Sequence, residues 1–267
     1  MENIRLDILA ARQFQVSETQ AAALVMEGRV LIGQTPADKP GMSVAADTVL
    51  TLKEKARKYA SRSGYKLEKA LHVFGVDPIN KRVCDIGASN GGFTDCLLQH
   101  GAAHVCAVDV AYGILAWELR NDERVTVLER TNARRLTVEQ VGGVCDMVTA
   151  DVSFISLTKI FPAVNGILSE TGLCICLIKP QFEAPQKALG KNGIVKDPSI
   201  LPPLMESIAA SAAENGLHIA DMTVSPIHGT NGNVEYLMLF RREETLSADM
   251  RAQKIADALR GEPEESV

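Results

Sequence analysis

Several features that whole classes of protein require are missing from this 267-residue chain. It has no C-x-x-C pair, which disfavours a zinc ribbon or a dithiol redox site. No run reaches the roughly 18 apolar residues of a membrane-spanning helix. Aromatic residues make up only 4% of the chain, and no basic amphipathic helix has an aromatic face, which disfavours a membrane-lytic protein. Because Glu2, Arg5 and Asp7 interrupt the first residues, the sequence predicts no signal peptide, no membrane contact and a cytoplasmic protein.

The cysteines and histidines also lack the spacing of a metal or redox site. Most of the cysteines stand in apolar, strand-like runs, so we expect reduced core residues and no bound metal. The cysteines are Cys84, Cys96, Cys106, Cys145, Cys174 and Cys176. The histidines are scattered without a catalytic partner pattern, at His72, His100, His104, His218 and His228.

Positive charge is scarce overall but locally concentrated. The chain carries a net charge of -5, which is unusual for an RNA-binding protein because lysine and arginine contacts with phosphate supply much of the affinity. Between Lys53 and Lys69, however, seven basic residues stand against two glutamates. A basic segment on an acidic chain predicts contact with a polyanion. An ordinary solvated linker helix is the alternative.

Residues 1–60 predict a small α+β domain of their own. Ser17 and Gln20 have the spacing of a capping box for a helix that stops at Gly28. The apolar runs VLI and TVLTL predict short strands, and the segment between them is rich in turn residues. A basic linker at about 53–62 then leads into the rest of the chain.

Residues 61–245 alternate between strand-like and helix-like segments. The apolar runs RVCDIGA, HVCAVDV, VTVLER, DMVTADV and GLCICLIKP predict parallel strands of a doubly wound α/β sheet. Two later runs flank Asn231-Gly232, a strong hairpin signal. A seven-stranded, mostly parallel sheet that ends in an antiparallel hairpin is typical of class I, Rossmann-like methyltransferases rather than of dehydrogenases. Residues 246–267 predict a C-terminal helix and an acidic tail.

The first strand leads into a glycine-rich turn, and the second ends in an acidic residue. Asp109 stands 22 positions after Gly87, which is the spacing of a nucleoside-binding site. An acidic side chain there can accept both hydroxyls of a ribose. Ser89 replaces the second glycine of G-x-G-x-x-G, and a carboxylate at Asp85 suits a sulfonium cation better than a pyrophosphate. These residues favour S-adenosylmethionine, and a nicotinamide cofactor is the alternative.

Longer blocks of the chain resemble a known family, in the order in which that family has them. The blocks are RLDILAARQFQVSETQAAALVMEGRVLI with DKPG, then SRSGYKLEKAL, DIGASNGGFTDCLL, AVDVAYGILAWELR, ERTNARRL, DVSFISL, KPQFEA and GNVEYL. Together they span residues 3–242 and resemble the TlyA family of hemolysin A-like proteins, which are S4-domain-containing ribosomal RNA 2'-O-methyltransferases with an FtsJ-like catalytic domain. The resemblance implies an S4-like RNA-binding domain at 1–60 and an FtsJ-like domain at 61–245.

FtsJ-like enzymes use a lysine–aspartate–lysine–glutamate tetrad, and the resemblance places it at Lys66, Asp151, Lys179 and Glu235. Asp151 and Lys179 follow predicted parallel strands, whose carboxyl ends face the ligand crevice of an α/β sheet. A ribose hydroxyl is a poor nucleophile, so it must be oriented and helped to lose its proton for in-line methyl transfer. We expect Lys179 nearest the hydroxyl, with the carboxylates holding the two amines. Which lysine takes the proton is left open.

The same resemblance implies the contacts to the methyl donor and to RNA. Donor contacts are expected from Asp85, Gly87, Ala88, Ser89, Gly91, Asp109, Asn132 and Ala133. Phe154 is either a pocket residue or a core aromatic. RNA contacts, mostly to phosphates and shape, are expected from Arg5, Arg12, Arg29 and Lys39 of the S4-like domain and from Lys55, Arg57, Lys58 and Arg62 of the basic segment.

The sequence therefore predicts an S-adenosylmethionine-dependent RNA methyltransferase that modifies a ribose 2'-hydroxyl. Ribosomal RNA within ribosomal subunits is the partner that the resemblance implies, with cytidine as the nucleotide. Two alternatives stay open, a non-catalytic ribosome assembly factor that retains the fold and a membrane-active hemolysin. The sequence does not indicate the oligomeric state.

Overall fold

The chain divides into two compact units, Met1–Lys58 and Tyr59–Val267. The structure is a computed structural model that describes residues 3–53, 58–229 and 232–264. The division falls two residues before the boundary expected at residue 60. The C-terminal helix, expected as a segment of its own, is part of the second unit.

The first unit packs two helices over short strands. The capping box at Ser17 and Gln20 is present, which confirms the expected start of the second helix, and Gly28 follows that helix with a positive φ of 65°. Its elements are β1 (Asn3–Arg5), α1 (Leu6–Phe14), α2 (Glu18–Met26), β2 (Val30–Ile32), β3 (Thr35–Pro36), β4 (Ser43–Ala45) and β5 (Leu50–Leu52). The strand β1 pairs with β4, and β2 pairs with β3 and β5, all antiparallel.

A seven-stranded sheet in the order β11-β12-β10-β9-β6-β7-β8 forms the centre of the second unit. Its strands are β6 (Arg82–Ile86), β7 (His104–Val108), β8 (Val125–Leu128), β9 (Cys145–Ala150), β10 (Leu168–Ile178), β11 (His218–Val224) and β12 (Tyr236–Arg241). The strands β6 to β10 are parallel to their neighbours among themselves, and β12 is antiparallel to both β10 and β11. The predicted mostly parallel sheet with antiparallel terminal strands is confirmed.

The connection between β11 and β12 contains the segment HGTNGNV with the predicted turn signal. The two strands pair antiparallel, as expected for a hairpin, and residues 225–235 join them. Gly232 has a positive φ of 84°, whereas Asn231 lies outside the described residues.

Helices cover both faces of the sheet. They are α3 (Ser63–Phe74), α4 (Gly92–Gln99), α5 (Trp117–Arg120), α6 (Phe161–Ile167), α7 (Pro180–Glu183), α8 (Leu201–Glu214) and α9 (Ala248–Arg260). One core cluster joins α6, α8 and α9 to the sheet, and a second joins α3 and α4 to it. All six cysteines are buried and free, which confirms their expected place in the core. Within the described residues, no helix is both long and apolar enough to cross a membrane.

Candidate functional site

Four polar side chains meet at the edge of the sheet where the parallel strands end. Lys66 lies in α3, and Asp151 and Lys179 directly follow β9 and β10. Glu235 directly precedes β12, which begins at this edge because it runs antiparallel to β10. The Lys66 Nζ lies 2.5 Å from Glu235 Oε2, and the Lys179 Nζ lies 2.6 Å from Asp151 Oδ1. The structure therefore groups the four residues into two ion pairs.

The first ion pair is almost fully enclosed. Lys66 is 7% exposed and Glu235 is 2% exposed. Gln181 Nε2 donates a further hydrogen bond of 3.4 Å to Glu235 Oε1. Burying a charge costs free energy unless the charge is paired and hydrogen-bonded. Lys66 and Glu235 therefore each offset the cost of burying the other.

A glycine that sequence reasoning missed makes room for this carboxylate. A Cβ atom on Gly229 would lie 2.0 Å from Glu235 Oε1. The Gly229 N–H donates to the Asn233 carbonyl at 2.9 Å, which folds the connection between β11 and β12 back on itself. Any larger residue at 229 would have to displace the Glu235 side chain.

The second ion pair lies beside a cleft. Its side chains are 12% exposed at Lys179 and 15% exposed at Asp151. Lys179 Nζ also donates to Ser153 Oγ at 2.9 Å. Asp151 and Ser153 both line the cleft. Because Pro180 follows it, Lys179 is held in an extended conformation, with φ -111° and ψ 97°. Sequence reasoning missed Ser153, for which the only signal is its place in the DVSFISL block.

The cleft has a volume of about 280 Å³ and opens at the carboxyl ends of β6, β7 and β9. This is where open α/β sheets bind ligands. Asp109 accepts hydrogen bonds of 2.8 Å from both the Ser89 N–H and the Ala111 N–H, so it joins the turns after β6 and β7. The expected donor residues that line the cleft are Gly87, Ser89, Asp109, Asn132, Ala133 and Phe154.

Asp85 is fully buried, at 0% exposure, and its two oxygens accept hydrogen bonds from Thr94 Oγ1 at 2.7 Å and Thr149 Oγ1 at 2.9 Å. Burial raises the pKa of this carboxyl to about 6, against the lowering effect of the two hydroxyls. In this geometry Asp85 ties β6 to β9 and α4 and is not part of the cleft lining, so its contact with the donor stays a prediction.

Ala88 and Gly91, which were also expected at the donor, do not line the cleft either. Ala88 is buried at 6% exposure. Gly91 stands at the start of α4 with φ 94°, where a Cβ would lie 2.2 Å from Leu119 Cδ1. Their role in this geometry is to shape the turn between β6 and α4.

Gly87 lies close against the backbone of Asp151 in the wall of the cleft. It has φ 85°, and a Cβ there would lie 2.4 Å from the Asp151 carbonyl oxygen. We expect Gly87→Ala to lower the free energy of unfolding by about 2 kcal/mol, because alanine is strained at positive φ and meets backbone. Urea denaturation measures this change.

Gly166 is the matched control for that substitution. It lies inside α6, where an added Cβ would meet no atom within 4 Å, and its φ is not in the left-handed region. Gly166→Ala should therefore be neutral or stabilising by up to about 1 kcal/mol. If Gly87→Ala and Gly166→Ala lost equal amounts of unfolding free energy, that result would contradict the steric role assigned to Gly87.

Phe154 lies at the rim of the cleft rather than in the core. Its side chain is 90% exposed, and its φ is 62°. Its ring centroid lies 4.9 Å from that of Phe182. A positive φ is strained for an aromatic residue, and such strain is concentrated at functional sites. The pocket interpretation of Phe154 is thus the one that its position favours.

The basic residues expected to contact RNA in the first unit fall into two groups. Arg12 and Lys39 are exposed. Arg5 instead makes a two-point contact with Asp7, with distances of 3.1 and 2.6 Å, and this contact lowers the pKa of the Asp7 carboxyl. Arg29 is half-buried, and its guanidinium lies 3.7 Å from Glu27. Arg5, Arg12 and Lys39 are therefore all exposed, with Arg5 held by Asp7, and Arg29 is the least exposed of the four.

The basic segment between the units is only partly described. Lys58 and Arg62 are exposed, whereas Lys55 and Arg57 lie outside the described residues.

Three exposed arginines beside the cleft were missed by sequence reasoning. Arg134 and Arg135 follow Asn132 and Ala133 in a short 3₁₀ turn. The guanidinium of Arg130 lies 4.3 Å from the centroid of the Tyr112 ring. The signal was the ERTNARRL block, whose arginines stand next to residues expected at the donor. They give one rim of the cleft a positive charge.

Comparisons with known proteins assign a family to each unit. Residues 59–242 match the model of the FtsJ-like methyltransferase family, and residues 4–50 match that of the S4 domain. The 16S/23S rRNA (cytidine-2'-O)-methyltransferase TlyA of Mycobacterium tuberculosis is 45% identical over 236 residues, which cover 88% of this chain and 88% of that protein. Hemolysin A of Brachyspira hyodysenteriae is 44% identical over 68% of this chain and 77% of that protein. The solved structure of a hemolysin candidate from Streptococcus thermophilus has a TM-score of 0.71 at 39% identity, covering 97% of this chain and 96% of that one.

Proposed function

Because the chain belongs to the TlyA family of FtsJ-like methyltransferases, we propose that it methylates the 2'-hydroxyl of a cytidine in ribosomal RNA, with S-adenosylmethionine as the methyl donor. The observation that carries this proposal is the pair of lysine–carboxylate contacts at one edge of the sheet, one of which borders the cleft. Ribosomal RNA and cytidine come from the name of the relative in M. tuberculosis. The protein would act where ribosomal subunits are, in the cytoplasm.

The residues around the cleft fit the proposed donor. Asp109 is a carboxylate at the end of β7, suited to the ribose hydroxyls of an adenosine, and Asn132 and Ala133 form the neighbouring wall. Gly87 brings backbone to the surface of the cleft at a point where a side chain would not fit. S-adenosylmethionine supplies an electrophilic methyl group on a sulfonium.

Lys179 is the group best placed to act on the hydroxyl. Its amine contacts Asp151 and Ser153, two residues of the cleft wall. A positive charge fixed there would stabilise the oxygen as its proton passes to water, whereas a neutral amine there would accept that proton itself. The O–CH₃ bond would form as the methyl–sulfur bond of the donor breaks, which leaves S-adenosylhomocysteine. Asp151 keeps the amine in position, and the enclosed pair of Lys66 and Glu235 holds α3 against the start of β12. In this mechanism the chain orients the hydroxyl and assists loss of its proton.

Basic side chains of both units would contact RNA. The S4-like unit presents Arg12 and Lys39, and the second unit presents Arg130, Arg134 and Arg135 beside the cleft. Such side chains contact the RNA phosphates and recognise the shape of the RNA rather than its base edges. The net negative charge of the chain is therefore compatible with RNA binding, because the positive charge is concentrated on these surfaces.

Methyl transfer to ribosomal subunits tests the proposal. Purified protein is incubated with isotopically labelled S-adenosylmethionine and separate small and large subunits that lack the modification, and the RNA is digested and analysed by mass spectrometry. We expect labelled 2'-O-methylcytidine with the wild type and none with Lys179→Ala. Label on a base, or on a different nucleotide, would overturn the proposed chemistry. Tight binding to subunits without transfer would favour an assembly factor instead.

A further inference from the structure

The loop that follows β9 forms one wall of the cleft, and the start of α7 lies against it. Residues 151–155 of this loop line the cleft. The helix α7 begins directly after Lys179. The position of the loop relative to α7 therefore determines how the Asp151 carboxylate and the Lys179 amine are placed at the cleft.

Besides the ion pair of Lys179 with Asp151, three contacts tie the two segments together. Lys179 Nζ donates to Ser153 Oγ at 2.9 Å. The ring of Phe182 packs against that of Phe154, with 4.9 Å between centroids. At the far end of the loop, Glu183 Oε1 accepts a hydrogen bond of 2.8 Å from the Leu157 N–H.

The contact made by Glu183 is charge-assisted, as is the one from the Lys179 amine to Ser153. A hydrogen bond to an ionised carboxylate is about twice as strong as one between neutral groups. Burial raises the pKa of the Glu183 carboxyl, and the hydrogen bonds from Leu157 and Ser156 act in the opposite direction. A partly buried carboxylate that accepts the Leu157 N–H holds the end of the loop where the chain enters its next helical turn.

We propose that Glu183 is a positioning residue for methyl transfer, which anchors the loop after β9 so that Asp151 and Ser153 hold the Lys179 amine at the cleft. This inference rests on the proposed function, because it assigns Glu183 a part in that reaction. Glu183 does not line the cleft, so it acts through the loop and not on substrate. Misplacing reacting groups by about 1 Å can cost on the order of 100-fold in rate.

Three variants test the proposal. Glu183→Ala removes the acceptor, Glu183→Gln keeps an uncharged oxygen acceptor in the same place, and Glu170→Ala removes an exposed carboxylate of β10 as the control. The readouts are the hydrogen exchange of the Leu157 amide, the Kd for S-adenosylhomocysteine, and kcat with ribosomal subunits. The first two need no RNA substrate.

In Glu183→Ala we expect the hydrogen of the Leu157 amide to exchange at least about tenfold faster than in the wild type. The Kd for S-adenosylhomocysteine should rise about tenfold, and kcat with ribosomal subunits should fall by about tenfold or more. Glu183→Gln should restore all three to within about threefold of the wild type, and Glu170→Ala should change none. A variant Glu183→Ala that unfolds more readily yet keeps its Kd and kcat would overturn the positioning role. If the wild type binds S-adenosylhomocysteine but methylates no RNA, the proposed function fails while the changes in exchange and Kd still support the anchor. If it binds no S-adenosylhomocysteine, both fail.

Discussion

Lys179→Ala is expected to lower kcat for methyl transfer about 1,000-fold, because general acid–base and electrostatic assistance by one positioned group is typically worth about 10²–10⁴. The amine contacts Asp151 and Ser153 at the cleft, and the variant leaves the rest of the cleft wall in place. Its Kd for S-adenosylhomocysteine should therefore stay within about threefold of the wild type. Single-turnover kinetics and calorimetry measure the two quantities.

Lys179→Arg separates two roles for the amine. Arginine keeps the positive charge but does not give up a proton near neutral pH. If Lys179 acts only as a fixed charge, Lys179→Arg should retain part of the activity. If Lys179 acts as the base, Lys179→Arg should be as inactive as Lys179→Ala. Lys159→Ala, at an exposed lysine outside the site, is the control and should be fully active. An active Lys179→Ala would remove this residue from the mechanism.

Lys66→Met is expected to lower the free energy of unfolding by about 3–5 kcal/mol, because it leaves an unpaired carboxylate in the interior. Glu235 is 2% exposed and has Lys66 at 2.5 Å. The double variant Lys66→Met/Glu235→Leu should regain most of that stability, since apolar residues often replace a buried ion pair at little cost. It should nevertheless remain inactive, because the family resemblance places both residues in the catalytic tetrad as well. Full activity of the double variant would limit the pair to its structural role. Urea denaturation and the methyl-transfer assay measure these outcomes.

The surface ion pair between Arg251 and Glu206 is the control for that comparison. Its atoms lie 3.0 Å apart, and its side chains are 31% and 39% exposed. Exposed pairs contribute about 0–1 kcal/mol, so Arg251→Met should have little effect on unfolding. If Lys66→Met lowers the free energy of unfolding no more than Arg251→Met does, the ion pair of Lys66 with Glu235 is not as buried as the structure describes.

The parallel part of the fold could be predicted because its strands are continuous apolar runs. Each of β6, β7, β8, β9 and β10 lies within or overlaps one of those runs. The strands β1, β3 and β4 were not predicted, because their sequences NIR, TP and SVA hold at most one large apolar residue each, whereas the equally short β2 and β5 are the apolar runs VLI and LTL.

The positions of the site residues were predictable to very different degrees. Asp151 and Lys179 stand at strand ends, where a parallel sheet exposes its ligand-binding edge. Lys66 and Glu235 had only the family resemblance behind them, because a helix lysine and a glutamate at a strand start usually face solvent. The burial of Asp85 was not predicted, because the two threonine hydroxyls that bond to it come from other elements. Such partners depend on packing and leave no periodic signal in the chain.

The position of β12 has a consequence for how the protein is made. It is the last strand in the sequence, yet it lies between β10 and β11 in the sheet. On a translating ribosome, these two neighbours are complete before the strand that joins them exists. Glu235 also reaches Lys66 only then, across 169 residues. The catalytic unit therefore completes its sheet and its enclosed ion pair only once β12 has been made, and until then a nascent chain has no finished site for methyl transfer.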